Sequence, residues 1–249
     1  IYIYKHKSHS YRDLPIRLAE FGTVYRNELS GNLTGLTRVR TITQDDAHIF
    51  CTESQIESEV INMINFFIET YNEFGLSIDT IELSTMPKKH IGDIESWNKA
   101  EELLEKALKK NKTTYKVNPG DGAFYGPKID FHVKDVLGRS WQLGTIQVDF
   151  NLPERFKLFY IDEKNEKKQV TMLHRAMLGA VERFMAILIE NCNGAFPLWL
   201  APVQVRIINM NDTLIEYSEG VEQKFRDVGF RVDSDYRLES VGKKVREAS

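Results

Sequence analysis

The octapeptide Thr43–Phe50, TQDDAHIF, holds an amide, two carboxylates and an imidazole within five residues. Groups of these types can receive an ammonium, bond hydroxyls or ligate a metal. The flanking residues alternate roughly between apolar and polar, as in a β-strand. In a strand, successive side chains face opposite ways. Arg38, Arg40, Ile42, Gln44, Asp46 and His48 then share one face. Val39, Thr41, Thr43, Asp45, Ala47 and Ile49 share the other. The first face reads as the floor of a cleft for a ligand with both anionic and cationic groups. Arg38 suits a phosphate and Asp46 an ammonium, and Arg26 adds a second guanidinium nearby. The planar guanidinium fork binds carboxylate or phosphate at two points, which an ammonium cannot do.

A solvated strand face is the bland alternative, and two further segments weigh against it. In TIQVDF, Thr145, Gln147 and Asp149 share a parity. In YGPKIDFH, Lys128, Asp130 and His132 do. Several strands with one polar face make a binding platform, because a sheet that only packed a core would be apolar there. His48 and His174 raise a metal question, although a histidine taken alone is more often structural. Cys51 faces away from His48 on a continued strand and is the weaker ligand candidate. Cys192 reads as a small buried residue late in a helix.

The elements that must position these groups follow from pattern. Leu18–Arg26 and Arg38–Phe50 read as strands joined by the turn-rich Ser30–Gly35, a long hairpin. Thr52–Gln55 matches a capping box. The helix after it carries Ile56, Val60, Ile64, Phe67 and Tyr71 on one face and stops at Gly75. Thr80–Ser84 reads as a strand. Asp93 opens a helix with Ile94, Trp97, Ala100, Leu104 and Leu108 in phase, ending in Lys106, Lys109 and Lys110 as a solvated, dipole-compatible terminus. Asn118–Lys128 is a loop leading to the strand Ile129–Val133, and Trp141–Phe150 is another strand. Asp162–Lys168 is a charged turn before VTMLHRA. Gly179–Glu190 is helical, with Val181, Phe184, Ile187 and Leu188 facing inward. Phe196–Val205 is a Pro-punctuated linker, with a domain boundary expected near Ala201. Beyond it, a strand, the helix Thr213–Val228 and the strand FRVDSDY form the start of an α/β module, and the chain ends within the next helix.

The chain has 249 residues, 42% hydrophobic and 28% charged, with a net charge of −3. That excludes a wholly basic nucleic-acid binder, so any such contact needs a local patch. No apolar run approaches the ~18 residues of a membrane span. Two cysteines make no disulfide framework, which suits a cytoplasmic or organellar-matrix location. The N-terminus, IYIYKHKSHSYRD, has no Met, is no secretory signal, and reads as opening inside a strand-like pattern.

YRNELSGNLTGLTRVRTITQDDAHIFC resembles motif 2 of the class II aminoacyl-tRNA synthetases in its threonyl version. GAVERF, Gly179–Phe184, resembles the end of motif 3. GDGAFYGPK, GTIQVDF and FPLWLAPVQV resemble further segments of that branch, in the right order over nearly the whole chain. The resemblance implies an α+β fold: an antiparallel sheet flanked by helices over residues 1–201, the catalytic core with motifs 2 and 3. The start of an α/β anticodon-binding domain over 202–249 would follow. It implies that ATP activates threonine to threonyl-adenylate, which is then passed to tRNA(Thr). Arg26 and Arg183 would be catalytic. Arg26, Glu28, Arg38, Ile42, Gln142, Thr145 and Arg183 would hold ATP with Mg²⁺. Arg26 would meet the α-phosphate and the threonine carboxylate, Arg38 and Arg183 the far phosphates, and Glu28 the adenine edge. Ile42 stands where the family often stacks an aromatic ring. Gln44, Asp46, Tyr125, Lys128 and Gln147 would surround the amino acid. No general base is needed, because the threonine carboxylate is already the nucleophile.

The family also holds a zinc ion through two histidines and a cysteine. His48 and His174 match the histidines, and the cysteine is expected upstream of Ile1, as is motif 1 with its dimer contacts. By this resemblance the chain is an internal piece of a homodimeric synthetase, retaining little zinc or activity alone. The alternatives are a non-catalytic relative that kept the fold, and a related synthetase for proline, serine or glycine.

Overall fold

The computed structural model describes residues 1–248. The chain divides into two compact units, Ile1–Asn191 and Cys192–Ser249. The elements of the first unit are, in order, α1 (Tyr2–Lys5), β1 (Ile16–Tyr25), β2 (Thr41–Cys51), α2 (Ile56–Glu73), β3 (Ile78–Ser84), α3 (Ile94–Lys110), β4 (Lys116–Asn118), β5 (Lys128–Lys134), β6 (Ser140–Asp149), α4 (Asn151–Arg155), β7 (Phe159–Ile161), β8 (Lys167–Gln169), β9 (Thr171–Ala180) and α5 (Val181–Asn191). Seven strands form one sheet in the order β1-β2-β9-β6-β5-β3-β4. All neighbours are antiparallel except β3 and β4. The expected antiparallel sheet with flanking helices is present.

The helices form where apolar spacing and caps agree. The Thr52 N–H donates to Gln55 Oε1 at 2.9 Å, closing the capping box that opens α2. Ile56, Val60, Ile64, Phe67 and Tyr71 are all fully buried against the sheet. At α3, Asp93 accepts from the Ser96 N–H at 2.8 Å. Trp97, Ala100, Leu104 and Leu108 are buried, whereas Ile94 is exposed. The lysines at its end are exposed as expected, and they also pair: Lys106 and Lys110 with Glu57 of α2, and Lys109 with Glu105. Such exposed pairs contribute little to stability.

Four expectations need correcting. The N-terminal residues form the short helix α1, and Tyr4 is buried with Phe50, Leu158 and Met172. The second hairpin strand begins at Thr41, because Thr34 and Arg38 bridge across a tight turn first. Thr171–Ala180, which includes TMLHRA and the expected helix start at Gly179, is a central strand. Cys192 lies past the end of α5 and is half-buried, not buried within a helix.

The second unit holds β10 (Val205–Ile208), α6 (Ile215–Asp227), β11 (Val232–Asp235) and α7 (Val241–Ala248). Its two strands are parallel and joined through α6, the β-α-β start expected of an α/β module. No helix among the described residues is long and apolar enough to cross a membrane.

Candidate active site

Register across the sheet brings the polar residues together. His48, His174, Gln147, Lys128 and Ser84 lie opposite one another on β2, β9, β6, β5 and β3. The next rung on the same face is Asp46, Ala176, Thr145, Asp130 and Glu82. The opposite face of β2, with Asp45, Ala47 and Ile49, is buried.

Two irregularities aim groups that strand parity alone would misplace. Between Asp130 and His132, β6 carries one extra residue, running from Thr145 to Gln142. That bulge lets Gln142 and Thr145, of opposite parity, line the same cleft. Opposite Gln44 and Asp46, β9 carries a larger bulge between Ala176 and Ala180. Asp45 fills it from behind. Its carboxylate accepts from the backbone N–H groups of Met177, Leu178 and Gly179 at 2.9–3.1 Å and from Arg175 Nη1 at 3.1 Å. Burial raises the Asp45 pKa even so, against the opposing pull of those donors. Asp45 is thus the structural acid its outward parity implied. Gly179 has φ +68°, and a Cβ there would sit 2.4 Å from the Leu143 carbonyl oxygen. From this bulge the chain turns into α5, whose Glu182 accepts from the Thr43 N–H at 2.9 Å and ties the helix to β2.

The polar face forms two adjoining pockets that share Arg26, Gln44, Gln142, Thr145 and Ala176. One contains every residue expected to hold ATP: Arg26, Glu28, Arg38, Ile42, Gln142, Thr145 and Arg183. The other contains every residue expected around the amino acid, Gln44, Asp46, Tyr125, Lys128 and Gln147, together with His174. His48 sits just beyond, its ring centroid 4.7 Å from that of His174. Arg40 does not join them. Its guanidinium bonds the Glu28 carbonyl and Ser30 Oγ, bracing the hairpin loop instead. The parity reading fails there because the strand starts only at Thr41.

The three arginines of the first pocket are held differently. Arg183 donates through Nε to the Thr37 carbonyl at 2.8 Å and through Nη1 to the Gln142 carbonyl at 2.9 Å, with its guanidinium 5.3 Å from the centre of the Trp141 ring. Burial, then the nearby Arg38 and Arg26, lowers its pKa. Three close cations attract an anionic ligand strongly. Among the described residues, Arg38 pairs only with Glu28, at 3.7 Å. Among the described residues, none hydrogen-bonds the exposed Arg26 guanidinium. Thr145 Oγ1 is buried with no partner, facing the shared zone of the pockets. An unsatisfied buried hydroxyl is costly unless a ligand or water meets it.

In the second pocket His174, Tyr125 and Lys128 are already tied, whereas Asp46 approaches His48 Nδ1 only at 3.8 Å. Asp149, fully buried, accepts from His174 Nε2 at 2.9 Å through one oxygen. Through the other it caps α4 at the N–H groups of Asn151 and Leu152. The Tyr125 hydroxyl donates to Gln147 Oε1, and burial, then Asp149 and Asp46, pushes its pKa up to about 12. The loop carrying Tyr125 drops onto β6 because Gly126 has no side chain: a Cβ there would lie 2.0 Å from the Val148 carbonyl oxygen. Sequence reasoning gave no role to Asp149, Trp141 or Glu182. The polar parity that Asp149 shares with Thr145 and Gln147 in TIQVDF was the available signal for it.

The two histidines fit a metal. Burial and the neighbouring His174 lower the His48 pKa, favouring the neutral imidazole that metals bind. Asp149 holds His174 Nε2 in the way carboxylates orient metal-ligating histidines, leaving Nδ1 for an ion. Among the described residues no third His, Cys, Asp or Glu completes a metal-holding group.

Comparison with known proteins gives the geometry a context. Residues 204–249 match the anticodon binding domain family model. The chain is 54% identical over its whole length to a threonine–tRNA ligase of Methylobacillus flagellatus, covering 39% of that protein. It is 53% identical over 99% of its length to one of Fusobacterium nucleatum, covering 40% of it. The chain therefore spans about two fifths of the length of the curated relatives it matches. A crystal structure described as the RNA binding domain of threonyl-tRNA synthetase from Cryptosporidium parvum superposes with a TM-score of 0.94 at 46% identity, over 99% of this chain and 62% of that one. With residues 1–192 matched by the model of the tRNA synthetase class II core domain (G, H, P, S and T), and with that family's sheet and cleft in place, the chain belongs to the class II tRNA synthetase core family.

Proposed function

We propose that this chain is the catalytic core of a threonine–tRNA ligase, residues 1–201, followed by the start of its anticodon-binding domain, residues 202–249. The observation that carries the reading is the pair of adjoining pockets sharing Arg26, one rich in arginine and one lined by Asp46, Tyr125, Gln147 and His174. The names of the relatives support threonine as the amino acid, and the match at 204–249 supports tRNA as the acceptor.

ATP, with Mg²⁺, occupies the first pocket: Arg38 and Arg183 meet the far phosphates, Glu28 the adenine edge, and Ile42 the ring. Gln142 and Thr145 bond ribose and phosphate oxygens. Threonine occupies the second, its ammonium on Asp46 and Tyr125, with Gln44, Lys128 and Gln147 fixing its pose. The threonine carboxylate attacks the α-phosphorus and pyrophosphate leaves. Arg26, at the shared boundary, binds both reactants and stabilises charge developing in the transition state. His48 and His174 would hold zinc, which when bound supplies an open coordination position for the hydroxyl and amino groups of threonine. That chemistry separates threonine from isosteric valine, which an apolar pocket does poorly. The full-length protein acts as a cytoplasmic homodimer.

The test is threonine-dependent ATP–pyrophosphate exchange by the full-length protein. Exchange that Arg26→Ala abolishes supports the reading; an unchanged rate in that variant removes the assigned role.

A further inference from the structure

Asp130 touches residues of both pockets yet lines neither. It lies on β5 and is 1% exposed. Oδ1 accepts from Gln142 Nε2 at 2.6 Å. Oδ2 pairs with Lys128 Nζ at 2.7 Å and accepts from Ser84 Oγ at 2.9 Å. Ser84 is itself fully buried on β3, so the carboxylate is fixed from two strands. Burying a carboxylate is expensive unless its partners are well placed. Here the two partners besides Ser84 are side chains that line the pockets, Gln142 both and Lys128 the second.

We propose that Asp130 is a positioning residue that couples the two pockets, presenting Gln142 as an acceptor toward the nucleotide and neutralising Lys128 beside the amino acid. The inference rests on the functional reading above. A glutamine amide can offer either end to a ligand. Because Asp130 takes Nε2, Oε1 is the end left for a hydroxyl group such as those of ribose. Lys128 has a side chain only 12% exposed, and its ammonium stands on the polar face that receives a substrate ammonium. Without Asp130, only Asp121 among the described residues, at 3.4 Å and 60% exposed, would pair with that charge. The pocket would then repel the amino group it must bind. One carboxylate thus sets the polarity of one pocket and the charge of the other.

The test uses the full-length protein, ATP–pyrophosphate exchange, and the variants Asp130→Asn, Gln142→Ala and the double variant. Asparagine keeps the volume but removes the charge and one acceptor. Asp130→Asn is expected to raise the KM for both ATP and threonine by roughly tenfold each. In the Gln142→Ala background its effect on the ATP KM should largely vanish, while the threonine effect persists. A merely structural role would lower the unfolding midpoint and give effects that multiply in the double variant. Unchanged KM values, or effects on the ATP KM that multiply in the double variant, overturn the proposal. Ser84→Ala removes only the hydroxyl beneath the carboxylate and serves if Asp130→Asn does not fold. It should raise the ATP KM in the same direction by a smaller factor, lost in the Gln142→Ala background, and no change in KM overturns the proposal. Absence of exchange in the unmodified protein would instead refute the functional reading itself.

Discussion

His174, Tyr125 and Lys128 each hold a hydrogen bond or ion pair within the protein before any ligand arrives, on Asp149, Gln147 and Asp130. At the other end of the cleft, Arg26 projects without a partner among the described residues and Arg38 reaches only Glu28 at 3.7 Å. Of the three arginines there, Arg183 is the one tied, by two carbonyls and the Trp141 face. The contrast follows from what each end is proposed to bind. A small zwitterion offers few contacts, so discriminating a hydroxyl from a methyl needs groups held in place beforehand. A polyphosphate carries enough charge to order mobile guanidinium groups around itself, and one fixed cation suffices to set its direction.

The comparison can be broken at either end. Arg26→Ala should lower exchange by ~10²–10³-fold while leaving the thermal midpoint unchanged, because the side chain is exposed and holds nothing else. A matching loss of stability would show that the open end is structural. Asp149→Asn attacks the tied end, and zinc affinity of the full-length protein should fall ~10- to 100-fold. Metal analysis and calorimetry read the two quantities separately. Asparagine keeps an Oδ1 acceptor for the α4 cap but turns an N–H toward His174 Nε2, so stability should fall through that contact, unlike Arg26→Ala.

Asp45 lies beneath both ends, and Asp45→Ala would leave three backbone donors of the β9 bulge unmet. A loss of about 3 kcal/mol in denaturant unfolding is expected, and less than about 1 kcal/mol would mean water satisfies them. Arg40→Ala sharpens the boundary of the open end. With the guanidinium bracing the loop and not the pocket, the ATP KM should move by less than about tenfold.

The smallest effect is in pH. Burial works against the Asp135 carboxylate, but hydrogen bonds from Trp141 and Arg139 outweigh it and hold the pKa at about 2. A lowered pKa adds stability above the ordinary carboxylate range near ~4 and loses it as pH falls toward about 2. The stability difference from Asp135→Asn should be flat above that range and disappear toward pH 2; a difference that grows on acidification would reverse the assignment.

The sequence revealed the helices other than the short α1 and α4, and most strands, because their signals are local. The capping box at Thr52, the five-residue stripe of α2 and the parity of Gln44, Asp46 and His48 each need only a few neighbours to read. β9 was missed because it is central and mostly buried, so VTMLHRAML shows no alternation. Its last residues also run into a helix through a bulge. Parity misled at Arg40 because it assumed that the strand began three residues early. The bulges that bring Gln142 beside Thr145 and seat Asp45 under Gly179 depend on pairing between distant strands, which no local pattern carries. Individual site residues were named largely through the family resemblance. The tethers behind them, Asp149, Asp130 and Trp141, became visible only with the sheet assembled.

The central claim is that the tied end reads threonine for the open end to activate. The most direct measurement is ATP–pyrophosphate exchange by the full-length protein with threonine, valine or proline as the only amino acid. The account predicts rapid exchange with threonine and at least ~100-fold less kcat/KM with the others, as expected where a polar group must be met. Equal stimulation by valine or proline, or exchange without any amino acid preference, would contradict it.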